Sequence, residues 1–124
     1  MGRIEYINPG TPVAGPYSPA VKVGDLIFVS GQIPDKDSNG IGEQTISAFN
    51  KIKDLLESCG TSVNNIVRVG VYLKDISNFG KMNEAYKKFF ADNGVDENYP
   101  ARSTIQASPP IEGIDIEIDV IASI

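Results

Sequence analysis

Histidine is absent from this chain of 124 residues, and cysteine occurs once. The first absence removes imidazole bases, His-containing triads and His-ligated metals; the second removes an intramolecular disulfide and any multi-cysteine zinc site. No metal or cofactor is expected from what remains. Cys59, just before Gly60, reads as a small, partly buried hydrophobe rather than a reactive thiol. Positive charge is also scarce. Eleven Lys and Arg against sixteen Asp and Glu give a formal charge of −5, which argues against a basic face for nucleic-acid backbones or anionic membranes. No apolar run approaches the roughly 18 residues of a membrane span, and no basic segment followed by a hydrophobic core opens the chain, so a cytoplasmic location is expected.

What is present fits a single domain over residues 1–124: 41% of the residues are hydrophobic, and no repeat, low-complexity tract or linker divides them. Val21 to Val23 and Leu26 to Ser30 flank Gly24-Asp25, a dipeptide suited to a two-residue hairpin turn. After a polar loop from Pro34 to Gly42, Ile46, Phe49, Ile52, Leu55 and Leu56 recur at helical spacing up to Gly60. Val67, Val69, Val71 and Leu73 alternate with Arg68, Gly70 and Tyr72, the pattern of a strand with a mixed second face. Ser77 or Asn78 is placed to cap a second helix, whose apolar stripe is Phe79, Met82, Tyr86, Phe89 and Phe90, with Gly94 as its stop.

The C-terminal segment holds the strongest functional signal. Ile114, Ile116, Ile118 and Val120 alternate with Asp115, Glu117 and Asp119, which predicts a half-buried strand. A hairpin turning at Pro109-Pro110 would set Arg102 opposite Glu117, about 4.5 to 5.5 Å apart at Cβ. A cation beside a carboxylate suits a small organic acid, and equally suits a structural ion pair on a sheet. The expected order is hairpin, helix, strand, helix, hairpin: an α+β domain with one mixed sheet and two helices on one face. The other face, carrying Tyr72, Gly70, Phe28 and Ser30 beside charged positions, suits an oligomer interface with a polar cleft at its edge.

Five segments in order, Gly15-Pro16-Tyr17-Ser18, Val29-Ser30-Gly31-Gln32-Ile33-Pro34, Asn83-Glu84-Ala85-Tyr86, Pro100-Ala101-Arg102-Ser103 and Ile116-Glu117-Ile118, resemble the RidA (YjgF-type) reactive intermediate deaminases over nearly the whole chain. The resemblance implies a chorismate-mutase-like fold and a homotrimer with intersubunit clefts. It also implies cofactor-independent hydrolysis of 2-imino acids such as 2-iminobutanoate and 2-iminopropanoate, derived from enamines such as 2-aminoacrylate, to 2-keto acids and ammonia. By the same resemblance, Arg102 binds the substrate carboxylate through its planar fork, a task that suits arginine better than lysine. Glu117 holds the attacking water and shuttles protons, and the Thr104 carbonyl helps orient that water. Tyr17, Ser30, Gly31 and Asn83 complete the substrate-binding cleft. With no histidine in the chain, Ser30 is a hydrogen-bonding wall rather than a nucleophile.

Two departures from the family pattern stand out. Thr104 replaces the cysteine of many relatives, and Ser108-Pro109-Pro110 is stiffer than the usual segment. Two other functions compete with deamination: a non-catalytic trimer that binds small carboxylates, and a ribonuclease or translation inhibitor. Retention of Arg102 and Glu117 argues against the first, the acidic composition against the second.

Overall fold

The first hairpin turns at Gly24, whose φ of +57° is a conformation glycine adopts without steric cost. In the computed structural model, which describes residues 3–124, it joins β2 (Ala20–Val23) to β3 (Leu26–Gln32), with Val23 paired to Leu26 as the Gly24-Asp25 turn requires. A strand that the sequence reading did not anticipate, β1 (Ile4–Ile7), lies antiparallel to β2 at the sheet edge. Its four residues, Ile-Glu-Tyr-Ile, are mostly exposed and carry no period that separates two faces.

α1 (Gly40–Ser58) starts within the segment expected to be loop. The Asn39 N–H donates to Glu43 Oε2 at 2.8 Å, which ties down the helix entrance, and Ile41 in the first turn is buried. The helix ends where expected: Gly60 has a φ of +83°, and the Thr61 N–H returns to the Leu56 carbonyl. Cys59 lies at this terminus, where burial pushes its thiol pKa up, the opposite of activation.

β4 (Ile66–Leu73) follows a short 3-10 turn. A bulge between Ile66 and Arg68 puts Ile66 rather than Val67 into the core, and Val67 is left exposed. Asn78 stands at the N-cap of α2 (Phe79–Asp92), as expected, but its side chain makes no capping hydrogen bond; the Asp75 carboxylate caps the 3-10 turn just before it, accepting the Ser77 N–H at 2.9 Å. α2 leads to β5 (Ala101–Gln106), and β6 (Ile116–Ser123) closes the sheet in the order β1-β2-β3-β6-β4-β5.

The C-terminal hairpin expected from sequence does not form. β5 pairs with β4, in parallel, while β6 lies between β3 and β4, antiparallel to both. The cause is α2, which carries the chain back along the sheet so that β5 starts from the same end as β4. A strand, crossover helix and parallel strand are then complete. The loop through Pro109-Pro110 instead carries the chain across β4 to its far side.

Both helices cover one face. Phe49, Ile52 and Leu56 from α1 and Met82 and Phe90 from α2 are buried against Val69, Val71, Leu73, Ile116 and Ile118 of the sheet. Each such side chain removed from water contributes roughly 1.5 to 3 kcal/mol. Phe49 joins the helices, stacked on Phe89 at 4.6 Å and edge-on to Tyr86 and Phe90 at 5.4 and 5.5 Å. The opposite face is uncovered and carries Ile4, Tyr6, Leu26, Phe28 and Ile105, each at least 39% exposed. Among the described residues, no helix is long and apolar enough to cross a membrane.

Candidate active site

β3 runs on to Gln32, whereas its pairing with β2 stops at Val29 opposite Ala20. Where the partner strand ends, the loop before β2 folds over β3 and leaves a cleft of about 1040 Å³ lined by Tyr17, Ser30, Gly31 and Glu117, with Lys51 and Asp54 of α1 across it. Ser30 fixes the loop twice: its N–H donates to the Pro19 carbonyl at 3.0 Å and its hydroxyl to the Ser18 carbonyl at 2.6 Å. The Ser30 hydroxyl proton is thus committed to the backbone rather than to a neighbouring base. Tyr17 is half-exposed at the cleft, on a turn closed by its N–H to the Gly15 carbonyl.

Two glycines make room for the carboxylates of β6, Gly31 for Glu117 and Gly70 for Asp119. A Cβ at Gly31 would collide with Glu117 Oε2 and come within 2.8 Å of its Cδ; a Cβ at Gly70 would collide in the same way with Asp119 Oδ1. Glycine therefore provides the space occupied by each of two successive carboxylates on one face of β6. Burial raises the Glu117 pKa above its ordinary value of 4.5, and the neighbouring Asp119 raises it further. Asp119 is itself held by the Tyr72 hydroxyl, which donates to its Oδ2 at 2.9 Å. That hydrogen bond, followed by burial, raises the phenol's pKa.

Arg102 is elsewhere. It is in register with Val69, which pairs with Val120, so its side chain shares their helix-covered face; Glu117 pairs with Tyr72 on the open face. The expected direct opposition of Arg102 and Glu117 is thus overturned twice, by the intervening β4 and by the parity of the two positions. The Arg102 Cζ lies 4.7 Å from the Tyr86 ring centroid and 5.7 Å from that of Phe79. Tyr86 and Arg102 line a groove between α2 and β5. Asn83 lies one turn before Tyr86 on α2, and Thr104 two residues beyond Arg102 on the same face of β5. Asn83 Oδ1, Tyr86 Oη and Thr104 Oγ1 are all buried, and none has a hydrogen-bond partner among the described residues.

The seven residues singled out in the sequence therefore fall into two groups. Tyr17, Ser30, Gly31 and Glu117 share the cleft, whereas Arg102 lines the groove at the other edge, with Thr104 beyond it on the same face of β5 and Asn83 on α2. Sequence reasoning missed the Tyr72–Asp119 pair, although Asp119 lies two residues from Glu117 on the same predicted face. It also read Tyr86 only as core, because nothing in an apolar helical stripe marks one ring as the support of a cation.

This arrangement can be set beside known proteins. The family described as Endoribonuclease L-PSP matches residues 10–124. A RutC family protein of Saccharolobus solfataricus is 45% identical over 128 residues, covering 98% of each chain. The crystal structure of yeast Mmf1 superposes with a TM-score of 0.84 at 33% identity, over 98% of each chain. That of Escherichia coli TdcF with bound serine gives 0.81 at 30% identity, over 90% of this chain and 91% of that one. The chain belongs to this family, the YjgF or Rid proteins, and its two-helix, six-stranded sheet is their fold.

Proposed function

We propose that this protein hydrolyses reactive 2-imino acids, 2-iminobutanoate and 2-iminopropanoate among them, to 2-keto acids and ammonia, as a homotrimer with its sites between subunits. The observation that carries this reading is Glu117: a carboxylate lodged against Gly31 in a cleft, with its proton affinity raised by burial and by Asp119. A group of that kind holds a water and takes up its proton more readily than an ordinary surface glutamate does. Water oxygen adds to the imine carbon while Glu117 takes one water proton and passes it to nitrogen, giving a carbinolamine. Glu117 then takes the carbinolamine hydroxyl proton and delivers it to the amino nitrogen, so that the C–N bond breaks as the keto C=O forms and ammonia leaves. Arg102 holds the substrate carboxylate through two parallel hydrogen bonds. These steps need no cofactor.

The two groups of residues project from opposite faces, so one protomer does not bring Arg102 to Glu117. A neighbouring copy docked on the uncovered sheet face would set its own β5–α2 edge beside the Glu117 cleft, and the exposed Phe28, Leu26 and Ile105 supply apolar surface for that contact. The serine held by the related TdcF supports the choice of substrate class, since serine carries carboxylate and nitrogen on one carbon as a 2-imino acid does. The family description names an endoribonuclease, but a chain with a charge of −5 and no histidine is poorly equipped for RNA.

The test generates both imines with a threonine/serine dehydratase, traps what remains with semicarbazide, and compares wild type with Arg102→Ala and Glu117→Gln. Less trapped imine with wild type alone supports deamination. No effect from folded, assembled wild type would replace this reading with a carboxylate-binding role.

A further inference from the structure

Arg102 stands on an edge strand and carries a side chain whose many rotamers would be lost on binding an anion, so something has to hold it in place beforehand. Carboxylates do not. Among the described residues the ion pairs are Lys51–Asp35 and Lys88–Asp92, and Arg102 takes part in neither. Its nearest support is aromatic: the Tyr86 ring centroid 4.7 Å from Cζ, with Phe79 at 5.7 Å.

Tyr86 is unusually well fixed for that purpose. It is 6% exposed, edge-on to Phe49 at 5.4 Å and 76°, and tilted against Phe90 at 4.8 Å and 41°. Its hydroxyl has no partner, and burial pushes the phenol up to about 12, so the ring stays neutral. Phe79, the first residue of α2, is 40% exposed and adds a second aromatic contact at the groove. A guanidinium lying over a ring face is attracted by the ring quadrupole, while its five N–H donors point outward in its own plane. A guanidinium held by ring faces and by no ion pair among the described residues keeps N–H donors available for a carboxylate.

We infer that Tyr86 and Phe79 form an aromatic corner that orients the Arg102 guanidinium for a substrate carboxylate, acting as positioning residues through their rings alone. The inference rests on the reading of Arg102 as the carboxylate-binding group. It separates Tyr86 from the rest of the apolar stripe of α2: Phe89 and Phe90 pack on Phe49 of α1 and hold the helices together, and Tyr86 conveys their rigidity to a cation at the surface.

The experiment titrates the full chain with 2-oxobutanoate by ligand-observed NMR, with kcat and KM for 2-iminobutanoate measured in parallel. Tyr86→Leu and Phe79→Leu are each expected to weaken 2-oxobutanoate binding by about tenfold, equivalent to about 1.4 kcal/mol, and to raise KM more than they lower kcat. Tyr86→Phe keeps the ring and should retain most of the affinity that Tyr86→Leu loses. In an Arg102→Ala background the loss from Tyr86→Leu should shrink to less than about twofold, because no cation is left to orient. Wild-type affinity in folded Tyr86→Leu and Phe79→Leu, or a loss that persists undiminished without Arg102, overturns the inference. Should Tyr86→Leu not fold, the half-exposed Phe79, taken through the same cycle with Arg102→Ala, decides it. Assembled wild type that binds no 2-oxobutanoate overturns the carboxylate-site reading itself; normal wild-type binding with unaffected ring variants overturns only the aromatic corner.

Discussion

Glu117 packs against Gly31 so closely that a side chain at position 31 fits only by displacing the Glu117 carboxylate. The atoms a new methyl group would meet belong to the far end of a flexible side chain, so the carboxylate can swing aside while the backbone stays in place. Gly31→Ala is therefore expected to cost little stability, within about 1 kcal/mol, and far more activity. Displacing a positioned proton carrier removes about a hundredfold in kcat, at the lower end of what such groups supply. Thermal denaturation and imine turnover on the same preparation check both halves; a large fall in Tm with normal turnover per folded protein would contradict it.

The raised pKa of Glu117 fixes the sign of two pH effects. The folded state holds this proton more tightly than the unfolded chain, so this group's contribution to stability declines as pH rises from its ordinary value of 4.5 through the higher folded value, and Glu117→Gln abolishes that part of the slope. The titratable groups beside Glu117 are Asp119 along β6 and Tyr72 on β4, with Tyr17 from the loop; Lys51 and Asp54 of α1 line the same cleft from the helix-covered side. Of these, Asp119 raises the pKa through its negative charge. Asp119→Asn is expected to lower the Glu117 pKa and shift the acidic limb of the kcat/KM profile to lower pH. A carbon-13 titration of the Glu117 carboxyl reads the same shift without turnover; an unchanged or upward shift would remove Asp119 from this role.

Much of this site was legible because each local pattern had a single structural solution. The alternation from Ile114 to Val120 placed Glu117 and Asp119 on the face away from the core, and the structure keeps them there. Gly24-Asp25 set the first hairpin, and the stops at Gly60 and Gly94 hold, each with a positive φ. Strand order was not legible. Pairing β5 with β6 was the short-range choice, and the residues of β5 carry no mark of the parallel partner that α2 brings to it. That error displaced Arg102 from Glu117, because a strand's neighbour and its parity are set by long-range packing and not by its own sequence.

Removing Arg102 separates binding from folding. Its side chain packs on two rings at an edge strand and forms no ion pair among the described residues, so Arg102→Ala should leave the Tm nearly unchanged. The loss of a bidentate charged contact is expected to lower kcat/KM at least about a hundredfold, or about 3 kcal/mol. Glu117→Gln should behave differently, retaining affinity for 2-oxobutanoate while kcat falls. Steady-state kinetics with a parallel binding titration separates the two; unchanged turnover in Glu117→Gln would reject its role in proton transfer.

Assembly offers a test that needs neither charged residue altered. Phe28 is 39% exposed at the middle of the uncovered face, paired with Val21 on one side and Ile121 on the other, and it touches neither the Glu117 cleft nor the β5–α2 groove. An apolar sheet face of this kind is covered in a stable protein, and a buried unpaired charge there costs several kcal/mol. Phe28→Asp is expected to convert the proposed trimer into monomers in light scattering, with the helix-covered core and its circular dichroism retained. Because Arg102 and Glu117 face opposite ways within one protomer, the monomer should lose turnover although all seven site residues are intact. Mixing an Arg102→Ala chain with a Glu117→Gln chain adds the converse: in mixed trimers some clefts receive both native residues from two different subunits, and activity should reappear. Full activity in the Phe28→Asp monomer would mean that the site is complete within one chain, against the parity of β5 and β6.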